Sequence, residues 1–185
     1  MRKTLYLAML LMLTTMPLIS CSDTAKNVSK SEIVTPSIDL LTAIDKEDLS
    51  IIKQHIGAGT NINDYPIPKG QPFEGVEPLI LAVLKDNSEI VQLLLDSGAD
   101  IEITAKNKDE GKPLHWAVYF QLEEMVSFLL SSGANVNSLD GNGLTPLDTA
   151  SGVKLIVMQN PEKQKLNEKI RQILIDNGGQ SASDL

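Results

Sequence analysis

The sequence predicts an all-α repeat solenoid of about four pairs of short antiparallel helices stacked in a row, and three observations predict it. An Ala–Gly pair 16 residues apart recurs as Ala43/Gly59, Ala82/Gly98 and Ala117/Gly133, and a fourth copy begins at Ala150. The four alanines step by 39, 35 and 33 residues, so the unit is a module of nearly constant length. Within each unit the apolar residues form two short runs at helical spacing; in the third they are Leu114, Ala117, Val118 and then Met125, Val126, Leu129, Leu130. Two helices of about ten residues or fewer cannot bury their apolar faces alone, so each pair must lean on a neighbour.

Taken in order, the chain opens with a positive start, Met1-Arg2-Lys3, and an apolar run over 5–19 broken only by Thr14, Thr15 and Pro17. A run of about 15 residues is short for a bilayer, which needs about 20, and it fits the apolar region of a signal peptide. An ordinary secretory cut before Cys21 would want a small residue where Leu18 stands. Leu18-Ile19-Ser20-Cys21 instead resembles the bacterial lipobox, in which the Cys thiol receives a diacylglycerol and becomes the first residue. Cys21 is the single Cys of the chain, so an exported form has no internal partner for it. The resemblance implies a lipoprotein signal peptide over 1–20 and a lipidated Cys21. Ser22 rather than Asp after it implies sorting to the outer membrane, with the domain facing the periplasm. The competing reading is an uncleaved anchor helix. Residues 22–35 are polar and aperiodic and end at Pro36, so 21–36 reads as the lipidated Cys and a flexible tether with a reach of roughly 20 Å.

The first repeat is expected over 37–63, with Ser37 capping a helix that carries Leu40, Leu41, Ala43 and Ile44. After a polar turn come Leu49, Ile51, Ile52 and Ile56, while Lys53, Gln54 and His55 are expected to face water, as an end repeat requires. Residues 64–75 hold three prolines and two glycines and cannot be helical. The second repeat spans 76–105: Pro78 suits a helix start, Leu79, Ala82 and Val83 face inward, and Gly98 ends the second helix. Residues 106–112 form a short charged connection to the third repeat, 111–140. The fourth repeat, 144–180, opens with the tight-turn pair Asn142-Gly143 and the cap Thr145. Its closing Gly is Gly178, which leaves 12 residues in excess of the other units, around 151–162. We expect a prolonged or kinked first helix there, a new start at Asn160-Pro161, and Leu166, Ile170, Ile173 and Leu174 inward. Residues 181–185 read as a frayed tail.

The third unit, with Pro113-Leu114-His115 at its start and Gly133-Ala134-Asn135 at its end, resembles an ankyrin repeat, as does Thr145-Pro146-Leu147 in the fourth. The resemblance covers roughly residues 37–180. It implies that the connections are β-hairpin fingers projecting from the helical stack. It also implies that His115, at the fourth place of the family's Thr-Pro-Leu-His tetrapeptide, bridges backbone groups of adjoining repeats. Lys112 and Glu77 stand where Thr is usual, and Ile80 and Asp148 where His is usual, so fewer such bridges are expected than in a consensus array.

The resemblance further places the residue before the shared Ala, and those two and three after it, on the concave face where ankyrin proteins bind partners. Trp116, Tyr119 and Phe120 hold those places in the third repeat, Leu81 and Leu84 in the second. Tyr65 and Phe73 lie on the first finger. These seven residues are the candidate partner-binding set, and the fourth repeat offers only Thr149, Gly152 and Val153, so a groove is expected at repeats two and three. Two placements stay open for the finger residues, projecting or folded back, and two for Trp116, exposed or packed along its helix.

Composition narrows the function. The formal charge is −8, and loss of residues 1–20 removes Arg2 and Lys3 and no acid, so the remainder is more negative still. Such a surface repels phosphate backbones and anionic headgroups, which argues against nucleic acid and leaves Cys21 as the expected membrane attachment. Two histidines 60 positions apart, no nucleophile elbow and no phosphate loop suggest no catalytic residues, metal or cofactor. The expectation is a monomeric, non-enzymatic protein–protein interaction module of the bacterial envelope. Two narrower roles fit it: an immunity protein neutralising a secreted toxin, or an accessory factor for a periplasmic oxidative-stress enzyme.

Overall fold

The computed structural model describes residues 35–185, so Cys21, the signal peptide and nearly all of the tether lie outside the described residues. Eight α-helices follow one another: α1 Leu40–Asp45, α2 Leu49–Gly57, α3 Pro78–Leu84, α4 Ser88–Asp96, α5 Pro113–Tyr119, α6 Glu123–Ser131, α7 Pro146–Val157 and α8 Pro161–Asp176. A 3-10 turn, Ala182–Asp184, closes the chain. The odd-numbered helices form a row, α1 on α3, α3 on α5 and α5 on α7, and each is backed by the helix that follows it. The result is a four-pair solenoid with one continuous core, in which Leu40, Ile52, Leu79, Ile90, Leu94, Leu114, Leu129, Ile170 and Leu174 are fully buried.

Local chemistry sets the boundaries. Pro78, Pro113 and Pro146 each stand at a first helical position, where the missing N–H has no partner to lose. Three of the four second helices are capped by the side chains of Asp48, Asn87 and Asn160, which accept from Ile51, Ile90 and Lys163 N–H, while α6 starts at Leu122 with no side-chain cap. Each second helix is followed by a glycine with positive φ: Gly59 (78°), Gly98 (90°), Gly133 (96°) and Gly178 (83°). The Ala–Gly landmark thus marks the end of each second helix, where the left-handed conformation favours a residue without Cβ.

Between the paired helices the backbone again turns left-handed, at Glu47 (56°), Asp86 (54°) and Gln121 (62°). Each of these lies four residues after the repeat's Ala. The equivalent fourth-repeat residue, Lys154, is helical instead, and α7 runs on to Val157. That is the prolonged helix expected from the 12-residue excess. Asn167 fixes the long α8 against it: fully buried, its Nδ2 donates to the Ala150 carbonyl at 3.1 Å.

A side-chain ladder ties successive repeats together at the position four residues past each glycine. Asn63 Oδ1 accepts from Asp100 N–H at 2.9 Å while its amide donates to the Gly98 carbonyl at 2.9 Å. Asn137 repeats both bonds to Gln180 N–H and the Gly178 carbonyl. Glu102 stands between them; a carboxylate can only accept, so it takes Asn135 N–H at 2.8 Å and turns its other oxygen to Lys112 Nζ, 3.3 Å away.

Four expectations need correction. The connections are fingers but not β-hairpins: no strand forms among the described residues. The first is closed by Ile67 N–H to Val76 O and Gly75 N–H to Ile67 O, both 2.9 Å, a pairing too brief to extend through its prolines. The first helix is capped by Asp39, whose carboxylate accepts from Thr42 N–H; Ser37 lies two residues too early to reach it. His55 is buried rather than facing water, donating from Nε2 to the Ile38 carbonyl at 2.8 Å and accepting the Thr60 hydroxyl at Nδ1. The C-terminal residues are docked rather than frayed, because Asp148 accepts from Ser181 Oγ (2.7 Å) and Ala182 N–H (2.9 Å).

Candidate functional site

Helix α5 places Trp116 and, one turn on, Tyr119 and its C-cap residue Phe120 on one side of the stack, and the first finger adds a fourth ring. Trp116 and Phe120 stack at 6.0 Å with an interplanar angle of 10°. Tyr119 meets Phe120 edge-on at 5.3 Å. Phe73 comes edge-on to both Trp116 (6.3 Å) and Phe120 (6.0 Å). Edge-to-face contact of this kind adds about 0.5–1.5 kcal/mol per pair. It offsets the cost of Phe73's left-handed φ of 60°, roughly 1–2 kcal/mol for a residue with a Cβ.

The finger reaches so far because it is clamped to its neighbour. Glu77, fully buried, accepts Tyr65 N–H at 2.8 Å and pairs with Lys106 Nζ at 3.0 Å, and the same ammonium reaches Asp64. Lys106 N–H donates to the Gly75 carbonyl at 2.6 Å, an approach so close that a Cβ at Gly75 would lie 2.3 Å from the Lys106 carbonyl oxygen. Glu77, where the family has Thr, therefore trades a helix cap for a link between fingers.

The rings leave an open groove of about 660 Å³ between α5 and α7 and the fingers before them. Trp116, Tyr119, Phe120 and Phe73 form one wall, and Leu144, Val153 and Ile156 the other. Phe73 (46% exposed), Tyr119 (52%) and Phe120 (40%) remain accessible, whereas Trp116 is half-buried with its Nε1–H donating to the Gly111 carbonyl at 3.1 Å. The groove is thus partly closed by the chain's own rings and otherwise open. A second, smaller hollow continues it past Tyr119, Phe120 and Ile156 to Val157 and Lys163.

The candidate residues divide accordingly. Phe73, Trp116, Tyr119 and Phe120 come together. Leu81 does not join them: at 8% exposure it belongs to the core. Leu84 and Tyr65 are half-buried against the same core and line neither hollow. The groove therefore sits at repeats three and four rather than two and three. Sequence reasoning missed Leu144, Ile156 and the carboxylates of Asp109 and Asp140. Ile156 had a signal in the apolar excess after Ala150; the carboxylates had none, since only the packing of adjacent fingers brings them to the rim.

Two polar groups set the groove's electrostatics. Burial pushes the His115 imidazole below its usual range, against the opposing pull of the Leu144 carbonyl to which Nε2–H donates at 3.0 Å. His115 is thus neutral near pH 7 and bridges repeats three and four. Partial burial pushes Asp148 up, but hydrogen bonds from Ser181, Ala182 and Thr145 outweigh it and hold its carboxyl at about 2. No group of His, Cys, Asp and Glu among the described residues could hold a metal ion.

Comparison with known proteins agrees with this architecture. A family model described as ankyrin repeats (3 copies) matches residues 40–140, more than half of the chain. A putative ankyrin repeat protein of Rickettsia bellii is 33% identical over 109 residues, 58% of this chain and 15% of that protein. The probable 26S proteasome regulatory subunit p28 of Saccharomyces cerevisiae is 40% identical over 79 residues, 41% of this chain and 34% of its own length. Alpha-latroinsectotoxin-Lt1a of Latrodectus tredecimguttatus is 27% identical over 129 residues, 70% of this chain and 9% of the toxin. The chain thus spans well under two thirds of the length of the curated relatives it matches. The α7–α8 pair lies beyond the matched residues yet continues the same row, with α7 packed on α5 and α8 on α6. With three repeats matched and their helices stacked as that family requires, this chain belongs to the ankyrin-repeat family.

Proposed function

We propose that this protein is a monomeric, lipid-anchored module of a bacterial envelope that binds a partner protein through the groove between α5 and α7. Ankyrin repeats are interaction modules and typically not enzymes. The observation that carries the reading is the groove itself, whose rings are linked edge to face yet keep between 40% and 52% of the surface of three of them in solvent. An aromatic patch of this kind is where Trp and Tyr contribute most to an interface. The lipobox-like residues before Cys21 support the anchor.

Cross-linked recovery from envelopes tests it, with Tyr119→Ser plus Ile156→Ser as the control because both side chains are exposed. We expect a specific partner with the wild type and its loss in the double variant, with thermal unfolding unchanged within a few degrees. Equal recovery by both would remove the groove from the proposal. A toxin among the captured proteins would support the immunity role, a periplasmic oxidative-stress enzyme the accessory role. Labelled fatty acid incorporated by the wild type and not by Cys21→Ser supports the anchor; labelling that ignores the substitution would end it.

A further inference from the structure

Beyond its rings, the groove has a one-sided charge. Its lining includes Asp109, Asp140 and Asp148 and neither Lys nor Arg, and its histidine, His115, is held neutral by burial. Asp148 already has both oxygens engaged by Thr145, Ser181 and Ala182. Asp109 and Asp140 sit on neighbouring fingers brought together by Gly141 N–H donating to the Asp109 carbonyl at 3.0 Å. Asp140 uses one oxygen, Oδ1, to accept Asn142 and Leu144 N–H, leaving the other without a partner among the described residues. At the opposite end, past Ile156, the charge reverses: the smaller hollow is lined by Lys163 and by no carboxylate. The path is therefore acidic at the fingers, apolar and aromatic in the middle, and basic at the α7–α8 corner.

Resting on the groove reading above, we infer that the occupant is an apolar peptide segment with a cationic side chain at its finger end. An ammonium or guanidinium there meets two carboxylates beside the Phe73 and Trp116 rings. Ring faces attract cations, and a partly desolvated rim strengthens the ion pairs. An anionic end would meet Asp109 and Asp140 and be repelled, whereas at Lys163 it would be favoured. The polarity thus fixes the direction of the bound segment as well as its composition. The wall that separates the two charges is built by Ile156, on the stretch of α7 that the other first helices lack.

Trp116 is the single tryptophan of the chain, so its fluorescence reports occupancy of this groove directly. The full chain is titrated with four peptides free of Trp and Tyr. Three share one Leu/Phe core and carry at one end Arg and Lys, Gln, or Glu; the fourth carries Arg and Lys among Gly and Ser, with no apolar core. The cationic apolar peptide is expected to bind about fivefold tighter than the neutral one and tighter still than the anionic one. The preference should shrink as salt is raised to about 0.5 M. Asp109→Asn should weaken the cationic peptide by about twofold to fivefold and leave the neutral one unchanged. A fifth peptide, the same core cationic at both ends, should bind Lys163→Glu more tightly than the wild type. Equal binding of the three core-bearing peptides overturns the inference and leaves the groove reading standing. Equal binding by the peptide without a core shows surface attraction only and overturns it as well. No saturable change at Trp116 with any of them removes both.

Discussion

Helices α5 and α7 hold the same place in successive repeats and end differently. In the third repeat the chain leaves the helix at Phe120 and turns left-handed at Gln121, so that α6 can fold back at once. In the fourth, Lys154 stays helical, α7 reaches 12 residues against 7, and three apolar side chains, Leu155, Ile156 and Met158, stand in solvent. On the same stretch Val153 and Val157 are buried, and α7 is backed along its length by α8. A repeat that must carry a neighbour on both sides keeps the standard turn. The fourth repeat, on which no further helix pair packs among the described residues, lengthens its first helix without breaking the row, and the added turn becomes a groove wall.

The largest effects should separate interior from end. Leu94 in the second repeat and Leu174 in the fourth are both fully buried. Truncating either to Ala should cost on the order of 3 kcal/mol. They should differ in what is lost: Leu94→Ala should destabilise the array as a whole, since that repeat is packed from both sides, whereas Leu174→Ala should open α7–α8 locally. Amide exchange distinguishes these, with accelerated exchange confined to residues beyond about Thr145 in the second variant. Uniform acceleration in both would show that the fourth pair is no more separable than the second.

Next in size is the bridge across that boundary. His115→Ala removes one of the two hydrogen bonds to the Leu144 carbonyl, which keeps Asp140 N–H as a donor, and should cost about 1.5 kcal/mol in denaturant unfolding. The bridge also sets a pH window. A histidine whose folded value lies below the unfolded 6.5 stabilises fully above that pH and loses its contribution as pH falls below it, because the unfolded chain takes the proton more readily. Asp148, held at about 2 against 3.8, gives a second and separate loss, present above 3.8 and removed as pH falls toward 2. His115→Gln should flatten the first decline and leave the second; a decline below 6.5 that survives it would belong to another group.

How much of this could be read beforehand follows from which interactions are local. Each Ala–Gly landmark carried its own conformational reason, so the helix pairs, their glycine ends and the Asn160 start were legible. Core leucines and isoleucines follow from helical spacing in the same way. The finger geometry was not, because it depends on Glu77 meeting Lys106 across 29 positions of chain. Leu81 was expected on the concave face and is buried in the core instead. The ring cluster was half legible, Trp116, Tyr119 and Phe120 from their spacing on one helix. Phe73 joins it only through the clamp, and Asp109 and Asp140 reach its rim only because adjacent fingers stack.

The smallest effect bears most directly on the difference between α5 and α7. Gln121 and Lys154 occupy the same register, four residues after Ala117 and Ala150, yet one is left-handed at 62° and the other helical. Glycine should therefore act on them with opposite sign. Gln121→Gly removes the Cβ that makes a left-handed residue strained and should raise stability by up to about 1 kcal/mol, less what the unfolded chain gains in freedom. Lys154→Gly places the poorest ordinary helix former inside a helix and should lower it by about 1 kcal/mol. It should also shorten α7, drawing Ile156 out of the groove and weakening any ligand seen through Trp116. If both substitutions moved stability the same way, the two turns would share one conformation in solution, and the longer helix could not be the source of the groove's second wall.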